Sequence, residues 1–467
     1  MWTSVSATRP RWPPPSFKTT TQSCSAAPFY GGIFGGPIDF AVAELNKDGN
    51  LNSSFGNGGE ALIGFGSNSS ANLTNLAVLP NGTIVLGGTV GNGNTGRIDF
   101  AVVELTPDGS LRSSFGSGGE AFIDFGPNTV ASLTNFVVQD DGGIVLDGNV
   151  INFATGQSSF AVAELTQDGS LNNGFGTDGT IFVDFGPNTA FFPVNLVVQH
   201  DGTIVIGGTV QSLITGFYDL GVEELTPSGG LKSSFGIGGE TLVSFGPNAL
   251  PGLNNIVVEL DGTVVLGATV SLNNGQVDFG VAELTPAGSL NPGFGSGGET
   301  LVDFGPNNQA FLNNLVVKDD GTIVLAGLVG NFVTSQSDFG VAELTSTGQM
   351  NAGFGNAGQT LVDFGPNTDA NPSALVVRGD GSVVVAGTVF NFITGQGDLA
   401  VAQLTTGGAL EPSFGTGGVT TIDFGLQSFL FPPNLVVLAD GTIVLGGSAV
   451  NSTTNQLDFA AAELTVR

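Results

Sequence analysis

Apolar residues in this chain recur in short alternating runs, without the three-to-four-residue rhythm of a helix. The segment Asp39–Leu45 reads DFAVAEL. In an extended backbone Phe40, Val42 and Glu44 share one face, and Ala41, Ala43 and Leu45 share the other. Both faces are largely apolar, whereas a sheet wetted on one side alternates more cleanly. The pattern therefore predicts a strand covered on both sides. Close copies begin at Asp99, Ser159, Asp219, Asp278, Asp338, Asp398 and Asp458, at spacings of 60, 60, 60, 59, 60, 60 and 60 residues. A period of this length with several strands per unit predicts blades of a β-propeller and not a helical solenoid.

Each unit holds four strand candidates. The first is NLVVQ, as in Asn195–Gln199, and the second is TIVIGG, as in Thr203–Gly208. Between them stand Asn-Gly or Asp-Gly pairs such as Asn81-Gly82 and Asp261-Gly262, which favour a tight hairpin with positive φ. The third is the DFAVAEL segment, followed by a turn such as Pro107-Asp108-Gly109 and an SFGxGG loop. The fourth is ETLVDFG, as in Glu299–Gly305. The expected fold is all-β: a seven-bladed β-propeller of four-stranded antiparallel blades. The last unit stops after its third strand, so strand 60–65 is expected to pair with strand 458–465 and close the ring, removing an open edge. Phe29–Leu45 then remains as a remnant outside the ring. The alternative is eight blades with one incomplete, lacking its inner strand.

Composition agrees with strands. The 467 residues include 75 Gly and 36 Phe, and only 11% are charged. Phe recurs at 55, 115, 175, 235, 294, 354 and 414, and again at 65, 125, 185, 245, 304, 364 and 424. These 14 positions are read as core filling the space between blades. Residues 1–28, rich in Pro, Ser and Thr, lack the apolar segment of a secretory signal and are expected to form a disordered leader before a propeller spanning 29–467. No run of 18 apolar residues is present, so no transmembrane helix and no membrane insertion are expected.

The net charge is −30, from 40 acidic and 10 basic residues. Binding to phosphate backbones depends on Lys and Arg, so nucleic acid is excluded as a partner. Cys24 is the single cysteine, and no intrachain disulfide can form.

The unit NLVVQxDGTIVLGGT…DFAVAELTPDGSLNSSFGxGGETLVDFG resembles the delta-60 repeat family, a bacterial β-propeller family without an assigned function. The resemblance covers roughly 29–467. It implies a propeller, and it implies a secreted or surface-associated protein, but it brings no catalytic residue. Family units tend to carry a base where this chain has Glu44, Glu104, Glu164, Glu224, Glu283, Glu343 and Glu463, with Gln403 as the exception. Glu60, Glu120, Glu240 and Glu299 likewise follow the GG turn. A partner that depends on basic positions is therefore not expected.

Closing units around an axis would place equivalent side chains in rings. The Glu44 set forms one acidic ring. Asp124, Asp184, Asp303, Asp363 and Asp423 form another and are the candidates for a metal, Ca²⁺, which takes six to eight oxygens. No unit carries a clustered DxDxDG loop, so solvated strand ends and turn caps explain these carboxylates more simply. Asn75, Asn135, Asn195, Asn255, Asn314 and Asn434 enter the inner strand and either line a channel or bond to nearby backbone. His200 is the single histidine and sits in a hairpin turn, which leaves no Ser-His-Asp or Cys-His arrangement. No phosphate-binding loop is present. The reading is a non-catalytic, monomeric scaffold at the cell surface or outside the cell, binding a protein or glycan without a cofactor. Two alternatives remain: a carboxylate-dependent enzyme acting on glycans, and an extracellular module stabilised by Ca²⁺.

Overall fold

A computed structural model of the chain describes residues 23–30, 38–45, 51–154, 157–423, 428–430, 434–437, 442–451 and 456–464. All its regular elements are strands. The chain divides into two compact parts. One holds the described residues up to Ile206 together with Glu223–Lys232; the other holds Gly207–Val222 together with the described residues from Ser233 onward.

The second part shows the repeating sheet plainly. Leu250–Val258, Val264–Ser271, Val277–Leu284 and Glu299–Val302 form a four-stranded antiparallel meander, each strand pairing with the next. The register runs Val258↔Val264, Ser271↔Val277 and Phe279↔Val302. Asp-Gly pairs turn the first hairpin as expected: Gly262, Gly321 and Gly381 have φ of 89, 79 and 84°. First strands start earlier than the NLVV pattern implies, at Thr129 in one part and Asn308 in the other. A β-bulge between Leu133 and Asn135, and between Leu312 and Asn314, interrupts the alternation and hides the leading half of the strand.

Three expectations are corrected at the beginning of the chain. Residues 23–28 do not belong to a leader, because Ser23–Tyr30 is a strand paired with Ile38–Leu45. Phe29–Leu45 is not a remnant outside the sheets, and Glu60–Ile63 does not serve 458–465. It pairs with Phe40–Ala43, as every fourth strand among the described residues pairs with its own third. The physical reason is proximity: a hairpin spanning one short loop closes far less chain than a pairing across the whole sequence. Residues 1–22 of the expected leader, Phe424 and Thr465 lie outside the described residues.

Packing between consecutive sheets rests on one repeated contact. Phe55, Phe115, Phe175, Phe235, Phe294 and Phe354 are all but inaccessible to solvent. The glycine of the next unit's turn lies on each ring. A Cβ on Gly348 would stand 2.8 Å from Phe294 and 2.7 Å from the amide nitrogen of Gly295. That amide donates to Thr347 O at 2.8 Å, and Gly56, Gly116, Gly176, Gly236 and Gly355 make the same bond to the following turn. The second Phe series is less enclosed. Phe185, Phe245 and Phe304 are buried, but Phe65, Phe125 and Phe364 are half-buried, against the expectation that all 14 fill the core. They sit at the ends of the short fourth strands and meet third-strand rings edge-on, as in Phe40–Phe65 at 4.8 Å and Phe339–Phe364 at 4.8 Å.

Gly348 and Gly297 separate the backbone cost from the contact. Both have positive φ, 73 and 71°, but a Cβ on Gly297 would meet nothing within 4 Å. Gly297→Ala is expected to cost about 1 kcal/mol in left-handed strain. Gly348→Ala adds a steric clash and is expected to cost at least about 2 kcal/mol more. Chemical denaturation of the two variants checks this, and equal midpoints would show that the glycine–phenylalanine contact contributes little.

Candidate functional site

The Glu44 set is not a ring of solvated strand ends. Glu44, Glu104, Glu224 and Glu343 are between 2 and 4% exposed, with Glu164 and Glu283 half-buried. Each is held by the side chain eight residues on, at the start of the SFG loop. Arg112 Nη1 donates to Glu104 at 2.6 Å, Asn172 Nδ2 to Glu164 at 2.9 Å, Lys232 Nζ to Glu224 at 2.8 Å and Asn291 Nδ2 to Glu283 at 2.5 Å. Asn52 and Asn351 do the same for Glu44 and Glu343. A buried carboxylate needs such partners to offset lost hydration. Burial pushes the Glu104, Glu164 and Glu283 carboxyls up, and those hydrogen bonds pull them partly back. The scarce bases are spent here as well: Arg112, Lys232 and Lys318 all pair with members of this set. The side chain of Glu463 lies outside the described residues.

The Asp124 set caps turns. Asp124, Asp184, Asp303 and Asp363 each accept the amide of the glycine two residues on, at 2.7–2.9 Å. Arg97 also pairs with Asp124. Across the ladder, one step beyond Phe279↔Val302 and Phe339↔Val362, Asp278 faces Asp303 and Asp338 faces Asp363. Burial lifts the Asp278 carboxyl to about 6, against a hydrogen bond from Gln276 and with added repulsion from Asp303. Burial, then Asp363, lifts Asp338 to about 6. Asp99 and Asp398 are raised by burial too, with Asp124 and Asp423 adding repulsion. Among the described residues no three His, Cys, Asp or Glu side chains converge on a point where a metal ion could sit.

The asparagines of the first strands bond to one another. Asn75 Nδ2 donates to Asn135 Oδ1 at 3.3 Å, and Asn135 Nδ2 to Asn195 Oδ1 at 3.0 Å. In the other part Asn255 Nδ2 donates to Asn314 Oδ1 at 3.2 Å. They form a ladder between successive sheets, and the local backbone bonds expected of them are also present at Leu76 N and Leu196 N. The side chain of Asn434 lies outside the described residues. His200 is exposed, with Nδ1 3.7 Å from Asp140 Oδ2.

Two surface clefts and one buried carboxylate were not anticipated. A cleft of about 250 Å³ brings together Glu259, Asp261 and Glu283. A groove of about 800 Å³ runs along Thr180–Val183, with Phe125 and Phe182 in its walls and Glu223 at its floor. Asp147 is 1% exposed and neither carboxylate oxygen has a hydrogen-bond partner. Burial drives its carboxyl far above the ordinary range, and the nearby Asn135 backbone amide offsets little of that. Asp147 stands where other units have Gly87, Gly207, Gly267, Ala326 and Ala386, and Glu223 stands where they have Ala or Val. Comparing the units column by column would have exposed both.

Five stretches of the chain, 29–55, 79–115, 139–175, 260–294 and 378–414, match the family described as a domain of unknown function (DUF5122) β-propeller. Each match ends on the buried Phe of the SFG loop. No curated protein matches the chain. Among solved structures, the β-propeller domain of the Trilobed protease from Pyrococcus furiosus is 12% identical, with a TM-score of 0.42, over 85% of this chain and 95% of that one. The Pyrococcus horikoshii acylaminoacyl peptidase is 11% identical, with a TM-score of 0.40, over 85% of this chain and 52% of that one. A PL25 polysaccharide lyase, an ulvan lyase, is 10% identical, with a TM-score of 0.40, over 83 and 92%.

Two stability measurements follow. A carboxyl whose folded pKa is raised from 3.8 to about 6 favours folding below the lower value, and that benefit is lost as pH rises through the higher one. Asp338→Asn should match the parent at about pH 4 and exceed it by about 1–2 kcal/mol at about pH 7.5. Melting curves across pH check this, and a pH-independent difference would contradict it. Asp147→Ala, which installs the residue of the sister units, should raise stability at neutral pH by about 1–3 kcal/mol in denaturant titrations.

Proposed function

This chain carries β-propeller repeats of the DUF5122 family, and from that premise we propose that it is a non-catalytic binding scaffold working at the cell surface or outside the cell. The observation that carries the reading is the employment of its acids. The Glu44 set anchors loops, the Asp124 set caps turns, and the single histidine is an exposed turn residue. Such a framework leaves its outward surface free for contacts. Hairpin tips present Phe332, Val333, Phe392 and Ile393, each more than half exposed, on turns braced by Asn331 and Asn391. Apolar side chains held out by rigid turns suit recognition. The surface location rests on the acidic, lysine-poor composition and on the family resemblance.

The ring is proposed with eight sheets and not seven. The strand that a seven-bladed closure would borrow, Glu60–Ile63, is already used by Phe40–Ala43. A crystal structure with seven sheets would overturn that count.

Purified protein incubated with a panel of neutral and acidic polysaccharides should release no reducing ends or unsaturated products above a heat-treated control. Turnover that disappears in Glu259→Gln or Glu283→Gln would assign catalysis to the carboxylate cleft and end the scaffold reading.

A further inference from the structure

Three departures from the repeat meet along the groove at Thr180–Val183. Asp178 replaces a residue that is Gly in five other units, and it takes φ of 53° to do so. Thr180 stands where four units have Glu, which removes a carboxylate from the strand edge. Glu223 replaces a small apolar residue and places a carboxylate, 2% exposed, at the groove floor. Drift among equivalent units would scatter such changes, but these three line one groove. Its walls are apolar and aromatic: Phe125 and Phe182 lie 6.0 Å apart, and Phe182 is more than half exposed. The rim is acidic, with Asp178 and Asp184, and no basic side chain lines the groove. Two nearby bases are already paired, Arg97 with Asp124 and Lys232 with Glu224.

The backbone supplies the rest. Thr180–Val183 pairs with Phe160–Ala163 along one edge and is the terminal strand of its sheet. Its other edge takes no strand among the described residues, and an extended peptide can add there through main-chain hydrogen bonds. Residues alternating along such a peptide would turn every second side chain into the groove. A cationic side chain with a long apolar stem fits the walls, stacks over the rings and ends near Glu223. A guanidinium, planar and always charged, is the cation best matched to a carboxylate lining such a groove.

We propose that this groove binds an extended, arginine-bearing peptide segment of a partner protein, added as a strand beside Thr180–Val183 with one arginine directed to Glu223. The proposal rests on the scaffold reading and specifies its partner. The probe is a fluorescein-labelled octapeptide of alternating arginine and valine, compared by anisotropy with the same peptide carrying citrulline in place of arginine. At about 0.15 M salt the arginine peptide should bind at least tenfold more tightly than the citrulline peptide. Glu223→Ala, the residue of most sister units, should weaken it at least tenfold while the variant still melts cooperatively, at or above the parent's temperature. Phe182→Thr, matching Thr421, should weaken it severalfold, and Leu301→Thr on an equivalent strand should not. No binding, or equal binding to the parent and Glu223→Ala, would overturn the groove assignment, the latter pointing to diffuse attraction to a highly acidic protein. Those outcomes leave the scaffold reading intact. Glu223-dependent binding with cleavage of the peptide, seen by mass spectrometry, would support the groove and overturn the scaffold.

Discussion

The structure depends on a phenylalanine that its own sheet cannot cover. The SFG loop lifts an aromatic ring to the flank of the sheet, where it joins the core residues of the next unit and lies beneath that unit's turn. That turn presents a glycine, because a side chain would collide with the ring and with the backbone beneath it, as at Phe294 and Gly348. The adjacent amide then bonds across to the same turn, so burial and hydrogen bonding act at one place. A unit cut out of the array would expose both. Stability in such an array comes from neighbour interfaces as much as from the units themselves.

The same logic explains how a chain of net charge −30 carries acids in its interior. In six units a carboxylate at the third strand reaches the base of the SFG loop and is met by an Asn, Arg or Lys eight residues later. The loop that carries the phenylalanine is thus tied down by the glutamate. An acid at this position keeps the loop, because the partner residue eight positions on can donate to it. Asp278 and Asp338 show the cost of that acidity, since burial, with repulsion from Asp303 and Asp363 added, raises their carboxyl pKa values.

Near-identity among units makes each exception informative. Asp147 carries a buried carboxyl into a place built for glycine or alanine, with no structural benefit evident around it. The changes at Asp178, Thr180 and Glu223 differ in kind, because they meet along one groove. A repeat protein acquires specificity at such departures, while its common positions maintain the frame.

Much was determined by the amino-acid sequence alone. The 60-residue period, the four strands per unit, the Asp-Gly hairpins and the burial of Phe55, Phe115 and their equivalents follow from local alternation, turn chemistry and composition, which act over a few residues. Tertiary structure decided what depends on neighbours far along the chain. The pairing of Glu60–Ile63 with Phe40–Ala43, the bulges before Asn75, Asn135, Asn255 and Asn314, the burial of Glu104 and Glu343, and the convergence of Phe182 with Glu223 have no local signature. Whether a carboxylate is a solvated strand end or a buried anchor is set by the side chains that pack over it, and two strands compete for one edge through geometry that no single segment contains.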